Sequence, residues 1–254
     1  MTNPPCFEGR RILITGAGSG IGAVTARHLA DLGAFVAILD RDGAAARQTA
    51  DSLGPERGLA WPGDVTDPAS CEGVIEAMQT RWGGIDSLVN NAGTWDHAPL
   101  LELSLERWQR VFDVNLMAPI AFSNAAVRRM QPGGAIVNVS SVLGQAAAPN
   151  RGPYCVSKSS LITLTKLQAV EWAGIGIRVN AIAPGYITNE TTKAMAAAGG
   201  FDAAAIERRT PLGRFGTEDE VAHGIAWLLD PVRAAYVTGH VLEMNGGWTA
   251  YGYV

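Results

Sequence analysis

A chain of 254 residues with 47 % hydrophobic and 17 % charged residues can bury a sizeable core, and its length allows one large α/β domain or two smaller ones. A formal charge of -4 leaves no basic footprint for nucleic acid, and no apolar run reaches the ~18 residues that suggest a membrane span. Cys6, Cys71 and Cys155 lie far apart without a CxxC or Cys/His cluster, so neither a disulfide framework nor a structural zinc site is indicated and a reducing cytoplasm is the expected setting. The opening MTNPPCFEGR does not read as a secretory leader.

The first strand signal is RILIT (11–15), which runs into GAGSGIG (16–22) and then a helical stretch over 20–32. Glycine permits the tight turn, and a helix N-terminus favours the charge of a pyrophosphate. Gly16, Ser19, Gly20, Ile21 and Gly22 are the cofactor contacts expected here. A second strand, FVAIL (35–39), ends at Asp40, 18 residues after Gly22, near the offset of a carboxylate that hydrogen-bonds the adenosine ribose hydroxyls. A 2′-phosphate there would meet like charge. Arg41 could soften the repulsion, but Ser19 sits where a basic residue would best serve a phosphate, so NAD is expected, with NADP as the alternative. A turn or helix cap is the plain structural reading of Asp40.

Helical stretches over 43–53 and 67–82, the second capped by Asp67, flank a third strand, GLAW (58–61). GDVTD (63–67) follows it and offers Asp64 and Val65 to the adenine ring. The fourth strand, SLVN (87–90), runs into NNAG (90–93), whose Asn91, Ala92 and Gly93 would flank adenosine while bracing the sheet. Trp95 and His97 come next and are candidates for substrate contact as much as for loop packing. One helix is expected over 104–130, capped by Ser104, followed by a fifth strand, AIVNV (135–139).

The segment VSSVLGQAAAPNRGPYCVSK (139–158) then sets a serine pair, a tyrosine and a lysine among small residues, opening a helix over 154–173. Tyr154 and Lys158, four apart, share one face of that helix. After the sixth strand, IRVNAI (177–182), PGYIT (184–188) enforces a turn at Pro184 and Gly185. The Ala- and Gly-rich segment 188–217 reads as a mobile excursion and a candidate lid. Thr217 caps a last helix over 217–230, and HVLEM (240–244) is the seventh strand. This alternation predicts a single Rossmann-like doubly wound domain over 1–254, with seven parallel strands, helices on both faces and ligands at the strand carboxyl ends. His28, His97, His223 and His240 are scattered without ligand spacing, so no metal site is expected.

TGAGSGIG (15–22), NNAG (90–93), Asn115 in FDVNLMAP, Ser140 and Ser141, YCVSK (154–158), PGYIT (184–188) and NGGW (245–248) occur in an order that resembles the short-chain dehydrogenase/reductase family over nearly the whole chain. The resemblance implies a nicotinamide cofactor, a catalytic set of Asn115, Ser141, Tyr154 and Lys158, and commonly a tetramer packed through its long helices. The family's serine stands 13 residues before its tyrosine, which selects Ser141 and leaves Ser140 as a backbone-supporting neighbour. The family further implies that Lys158 holds the nicotinamide ribose, that Asn115 holds a water linking the lysine to solvent, and that Ile187 and Thr188 meet the carboxamide.

A phenol near pKa ~10 needs about 4 kcal/mol of preferential phenolate stabilisation to work as a base at neutral pH, and Lys158 with the oxidised cofactor would provide it. Tyr154 would then take the hydroxyl proton as hydride leaves the carbinol carbon. The substrate side is drawn from 95–97, 142–150 and 186–216, with Trp95, His97, Gln145, Asn150 and Tyr186 as its candidates, and fits a small ketone, a sugar or polyol, or a 3-oxoacyl thioester. A dinucleotide-sensing protein without chemistry is the competing class. The aromatic-rich tail NGGWTAYGYV is expected to pack against a neighbouring subunit.

Overall fold

Alternating short apolar runs and helices fold as the patterning dictates. The computed structural model describes residues 7–189, 192–193 and 201–252. Its strands are β1 (Arg11–Thr15), β2 (Phe35–Asp40), β3 (Gly58–Pro62), β4 (Ser87–Asn90), β5 (Ala135–Val139), β6 (Arg178–Pro184), β7 (Ile187–Thr188), β8 (Gly216–Thr217) and β9 (Val241–Met244). Its helices are α1 (Gly20–Asp31), α2 (Gly43–Ser52), α3 (Pro68–Trp82), α4 (Leu105–Phe112), α5 (Ala118–Val127), α6 (Gly152–Trp172), α7 (Ala203–Arg209) and α8 (Glu218–Leu229). The seven main strands form one parallel sheet in the order β3-β2-β1-β4-β5-β6-β9, so the winding reverses between β1 and β4. Crossovers of one hand put helices on both faces, and a crevice opens at the strand carboxyl ends beside the reversal.

Period-two alternation divides the core into two layers. Ile12, Ile14, Val36, Ile38 and Val137 face Leu29 of α1 and Val221 and Ile225 of α8. Leu13, Leu39, Leu88, Ile136 and Val179 face Val74 and Met78 of α3 and Phe122 of α5. Asp67 caps α3 by accepting from Ala69 N at 3.0 Å. Thr217 and Glu220 form a reciprocal capping box on α8. Asp42 caps α2, a cap the sequence reading did not single out, whereas Ser104 makes no side-chain cap bond on α4. His28 and His223 do lie on helix faces, their rings 4.5 Å apart where α1 meets α8.

One expectation needs correction. The single helix over 104–130 is two, α4 and α5, joined by a π-helical turn over Asp113–Met117. That wide turn contains Asn115, whose side chain is bonded inward to Thr94 and Ser157. Within 188–217, α7 and the pair β7–β8 give the described part regular structure, while residues 190–191 and 194–200 of that expected mobile loop lie outside the described residues. The tail aromatics Trp248 and Tyr251 have a partner within the chain, the Arg209 guanidinium, 4.5 Å and 5.5 Å from their ring centroids. Among the described residues no helix is long and apolar enough to cross a membrane.

Candidate active site

The glycine turn is built for close approach. Gly16 has φ +64°, and a Cβ there would lie 2.8 Å from Ala92 Cα; a Cβ at Gly22 would lie 2.5 Å from Gly16 O. Asn91 ties the turn to the end of β4, donating from Nδ2 to Thr15 O at 3.0 Å and Gly16 O at 2.8 Å. Thr15 Oγ1 accepts from Asn91 N and Ala92 N, both at 3.1 Å. Thr15 is therefore a bracing residue that sequence reasoning missed, although its place at the end of β1 before the glycine turn could have flagged it. Asp40 Oδ2 accepts from Gly18 N at 2.9 Å and Oδ1 accepts from Asp42 N at 3.0 Å, which holds the carboxylate at the mouth of the turn. Asp64 accepts from Thr66 N and Oγ1, both at 2.8 Å, and these bonds hold its carboxyl below the usual range.

These groups line a cavity of about 740 Å³ that includes Gly16, Ser19, Asp40, Asp64, Val65 and Ala92. A second cavity of about 570 Å³ shares Asn91, Gly93 and Trp95 with it, so the two form one slot along the carboxyl ends of the strands. Ser19 makes no side-chain cap on α1, which leaves the first-turn N–H groups facing the glycine turn. A glycine cradle, an open helix N-terminus, a carboxylate at the end of β2 and a long slot fit a dinucleotide.

The second cavity gathers most of the remaining candidates. Ser141, Tyr154, Lys158, Pro184, Gly185, Tyr186, Ile187, Ile21, Trp95, His97 and Asn150 all line it. Gly20, Gly22 and Thr188 are not among the residues lining either cavity. Gln145 is not brought to the site: it follows the turn after Ser141, but its amide donates to Glu243 Oε1 of β9 at 2.8 Å, drawing the side chain away. The wall also holds Val142, Leu143, Ala148 and Phe201, from the segments expected on the substrate side, and Arg151, which the sequence reading did not single out.

Local bonding fixes the polar groups. Ser140 and Ser141 diverge as strand neighbours do: Ser140 Oγ donates to Lys158 O at 2.8 Å, whereas Ser141 Oγ accepts from Leu143 N at 3.1 Å and lines the cavity. Tyr154 is half-buried in the cavity wall, and burial pushes its phenol up while a hydrogen bond with Ser141 works against that rise. Lys158 is 4 % exposed, donates from Nζ to Val139 O at 2.7 Å, and lies 5.8 Å from the Tyr154 ring centroid. Burial brings its pKa down to about 8, which leaves it charged at neutral pH. Asn115 is fully buried; its Oδ1 accepts from Thr94 N and its Nδ2 donates to Thr94 O, both at 2.8 Å, and to Ser157 Oγ at 3.0 Å. Gly93 fits between Asn115 and Lys158, where a Cβ would come 3.5 Å from Lys158 Nζ and 3.6 Å from Asn115 Oδ1.

A doubly wound sheet, a dinucleotide slot and a Ser-Tyr-Lys wall in one crevice agree with the comparisons. Residues 16–249 match the family model described as enoyl-(acyl carrier protein) reductase. The cis-4-hydroxycyclohexanecarboxylate dehydrogenase of Sinomonas cyclohexanicum is 40 % identical over 96 % of this chain and 98 % of its own length. The chain belongs to the short-chain dehydrogenase/reductase family. A 3-oxoacyl-[acyl-carrier-protein] reductase of Vibrio cholerae is 37 % identical to this short-chain dehydrogenase/reductase over 95 % of the chain and 98 % of its own length. The crystal structure of a short-chain dehydrogenase/reductase from Brucella melitensis, titled glucose/ribitol dehydrogenase, superposes with TM-score 0.89 at 30 % identity, covering 95 % of this chain and 97 % of that one. As a short-chain dehydrogenase/reductase the protein is an oxidoreductase that uses a nicotinamide dinucleotide, in keeping with its slot.

Proposed function

We propose that the protein reversibly oxidises a secondary alcohol to its ketone with NAD, using Tyr154 as general base and, in reverse, as general acid. The observation that carries this reading is the convergence of Ser141, Tyr154 and Lys158 on one cavity wall, where that cavity meets the dinucleotide slot. When bound, the nicotinamide dinucleotide supplies the hydride acceptor or donor and, in its oxidised form, a positive charge.

Ser141 Oγ hydrogen-bonds the substrate oxygen and fixes it against the phenol, and the proton passes to Tyr154 Oη. Burial alone would hold that phenol too high to act as a base. Lys158 opposes this: a cation about 6 Å from the ring, at an effective dielectric of ~20, favours the phenolate by about 3 kcal/mol. The Val139 carbonyl pins the ammonium in place, and Asn115 braces the backbone of Thr94 on the far side of Gly93. Asp40 serves the ribose hydroxyls and disfavours a 2′-phosphate, which supports NAD over NADP.

Relatives named for an alicyclic hydroxy acid, for a 3-oxoacyl carrier-protein substrate and for glucose or ribitol support the alcohol/ketone class without choosing within it. The reductase name of the Vibrio relative favours a 3-oxoacyl thioester as the second reading. The exposed apolar residues Leu105, Met117, Val156, Leu167 and Val170 along α4 to α6 support a homotetramer packed on those helices. The free thiols Cys71 and Cys155 suit a reducing cytoplasm.

The test is to follow reduced-nicotinamide absorbance with NAD and, separately, NADP against secondary alcohols, polyols and hydroxy acids, with 3-oxoacyl thioesters in the reverse direction. NAD-linked oxidation of an alcohol is expected. Silence across every class, with dinucleotide binding confirmed by titration, would overturn the reading.

A further inference from the structure

Among the described residues, those lining the second cavity include the cationic or basic side chains of Arg151, Lys158 and His97 and no Asp or Glu. Lys158 donates to the Val139 carbonyl and stands beside the Tyr154 ring, where its charge is assigned above to the phenolate. Among the described residues the Arg151 guanidinium has no hydrogen-bond or ion-pair partner, whereas Arg11, Arg107, Arg129 and Arg214 are each paired with a carboxylate. In a chain of net charge -4, these described walls present an unpaired cation to the cavity and no carboxylate.

The backbone holds Arg151 at that place. Asn150, immediately before it, is the one non-glycine residue with positive φ among the described residues, at +62°. Its carbonyl accepts from Ala98 N at 3.2 Å, which joins the loop ahead of α6 to the Trp95–His97 wall opposite. A left-handed asparagine costs free energy unless its surroundings fix it, and strain of this kind concentrates at functional sites. Here it turns the chain into α6 so that Arg151 and Tyr154, three residues apart, line one cavity. Between them and the opposite wall lie Val142, Leu143, Ala148, Pro149 and Phe201, an apolar surface suited to a hydrocarbon body.

We propose that the substrate is a hydroxy or oxo carboxylate with an apolar body, and that Arg151 determines specificity by pairing with the carboxylate while Tyr154 and Ser141 meet the hydroxyl. The proposal rests on the alcohol/ketone reading above and names the substrate class within it. A carboxylate matches the two-donor edge of a single guanidinium. The charge of Arg151 also draws the Tyr154 phenol down, in opposition to the larger effect of burial.

Two measurements separate this proposal from the reading beneath it. In the first, cyclohexanecarboxylate, hexanoate and phenylacetate, and their carboxamides, are titrated calorimetrically into the NAD-saturated protein. The wild type should bind at least one acid about tenfold or more tighter than its amide; Arg151→Gln should remove that preference, a loss of about 10- to 30-fold, and Arg151→Lys should restore part of it. Equal binding of acid and amide by the wild type, or an unchanged preference in Arg151→Gln, overturns the proposal. In the second, 4-hydroxycyclohexanecarboxylate, its carboxamide and neutral secondary alcohols are compared as substrates, with the Arg151 effect expected mainly in KM. Neutral alcohols turned over as well as their acidic counterparts would overturn the carboxylate proposal and leave the dehydrogenase reading standing. An Arg151-dependent binding preference without turnover of any alcohol would do the reverse.

Discussion

At the glycine-turn end of the slot the chain leaves little room for added side chains, because the turn packs against backbone: a Cβ at Gly22 would meet Gly16 O at 2.5 Å, and one at Gly16 would meet Ala92 Cα at 2.8 Å. At the Tyr154 end the walls are side chains from separate loops, with Trp95, Leu143, Arg151 and Phe201 facing one another across open space. The first end is specified by what is missing from the sequence and tolerates almost no change. The second is specified by which side chains are presented, so it can be altered one residue at a time while the fold persists. That contrast teaches where generic binding and where particular chemistry reside in this molecule.

The largest expected effect removes the chemistry and spares the scaffold. Tyr154→Phe deletes the oxygen proposed to exchange the proton, so turnover should fall about a thousandfold. Dinucleotide affinity, read by fluorescence titration, should change less than about threefold. A variant that keeps a tenth of its activity would move the proton to another group.

At the opposite end, Gly22→Ala drives a methyl group against the Gly16 carbonyl and the Asn91 amide. We expect a loss of about 2 kcal/mol in stability and of roughly 30-fold or more in dinucleotide affinity, measured by denaturant unfolding and by titration. An unperturbed variant would show that the turn has slack and erase the contrast. Asp40→Ser, on the rim between backbone and side-chain control, should shift the NAD-to-NADP preference about tenfold toward NADP; an unchanged ratio would remove Asp40 from cofactor choice.

The smallest effect concerns stability and has a definite pH window. Burial lowers Lys158 from 10.5 in the unfolded chain to about 8 in the folded one. Between those values the unfolded chain binds the extra proton, so this group's penalty is full below about pH 8 and fades as pH rises toward 10.5. Lys158→Met should therefore gain about 1 kcal/mol at pH 7, less than the ~3 kcal/mol that the pKa difference allows, because the Val139 carbonyl loses its donor. The gain should shrink at pH 10. A constant difference in melting temperature across that range would show that the penalty is not one of charge.

The seven strands were legible because each is a short apolar run bounded by turn residues, and two buried faces impose that pattern whatever the sequence does elsewhere. The break in 104–130 was not, since the local residues are good helix formers and the wide turn depends on Asn115 reaching Thr94 and Ser157 on other elements. Gln145 looked well placed by its distance from Ser141, yet its direction is set by Glu243, nearly a hundred residues on, which meets it only after β9 joins the sheet. Arg151 carried no signal at all. An arginine in a loop is unremarkable until the structure shows it in one cavity with Tyr154, with no carboxylate among the described lining residues.

The short pair β7–β8 aligns Ile187 with Gly216 and Thr188 with Thr217, immediately before the capping box that starts α8. This clasp closes the neck of everything between 189 and 215. A segment closed at its neck can change length without shifting the register of the main sheet, and each doubling of its length costs only about 0.6 kcal/mol of closure entropy. Among its described residues Thr192 and Phe201 line the second cavity, so a change of length between Thr188 and Gly216 would alter that wall while the register of the main sheet is kept.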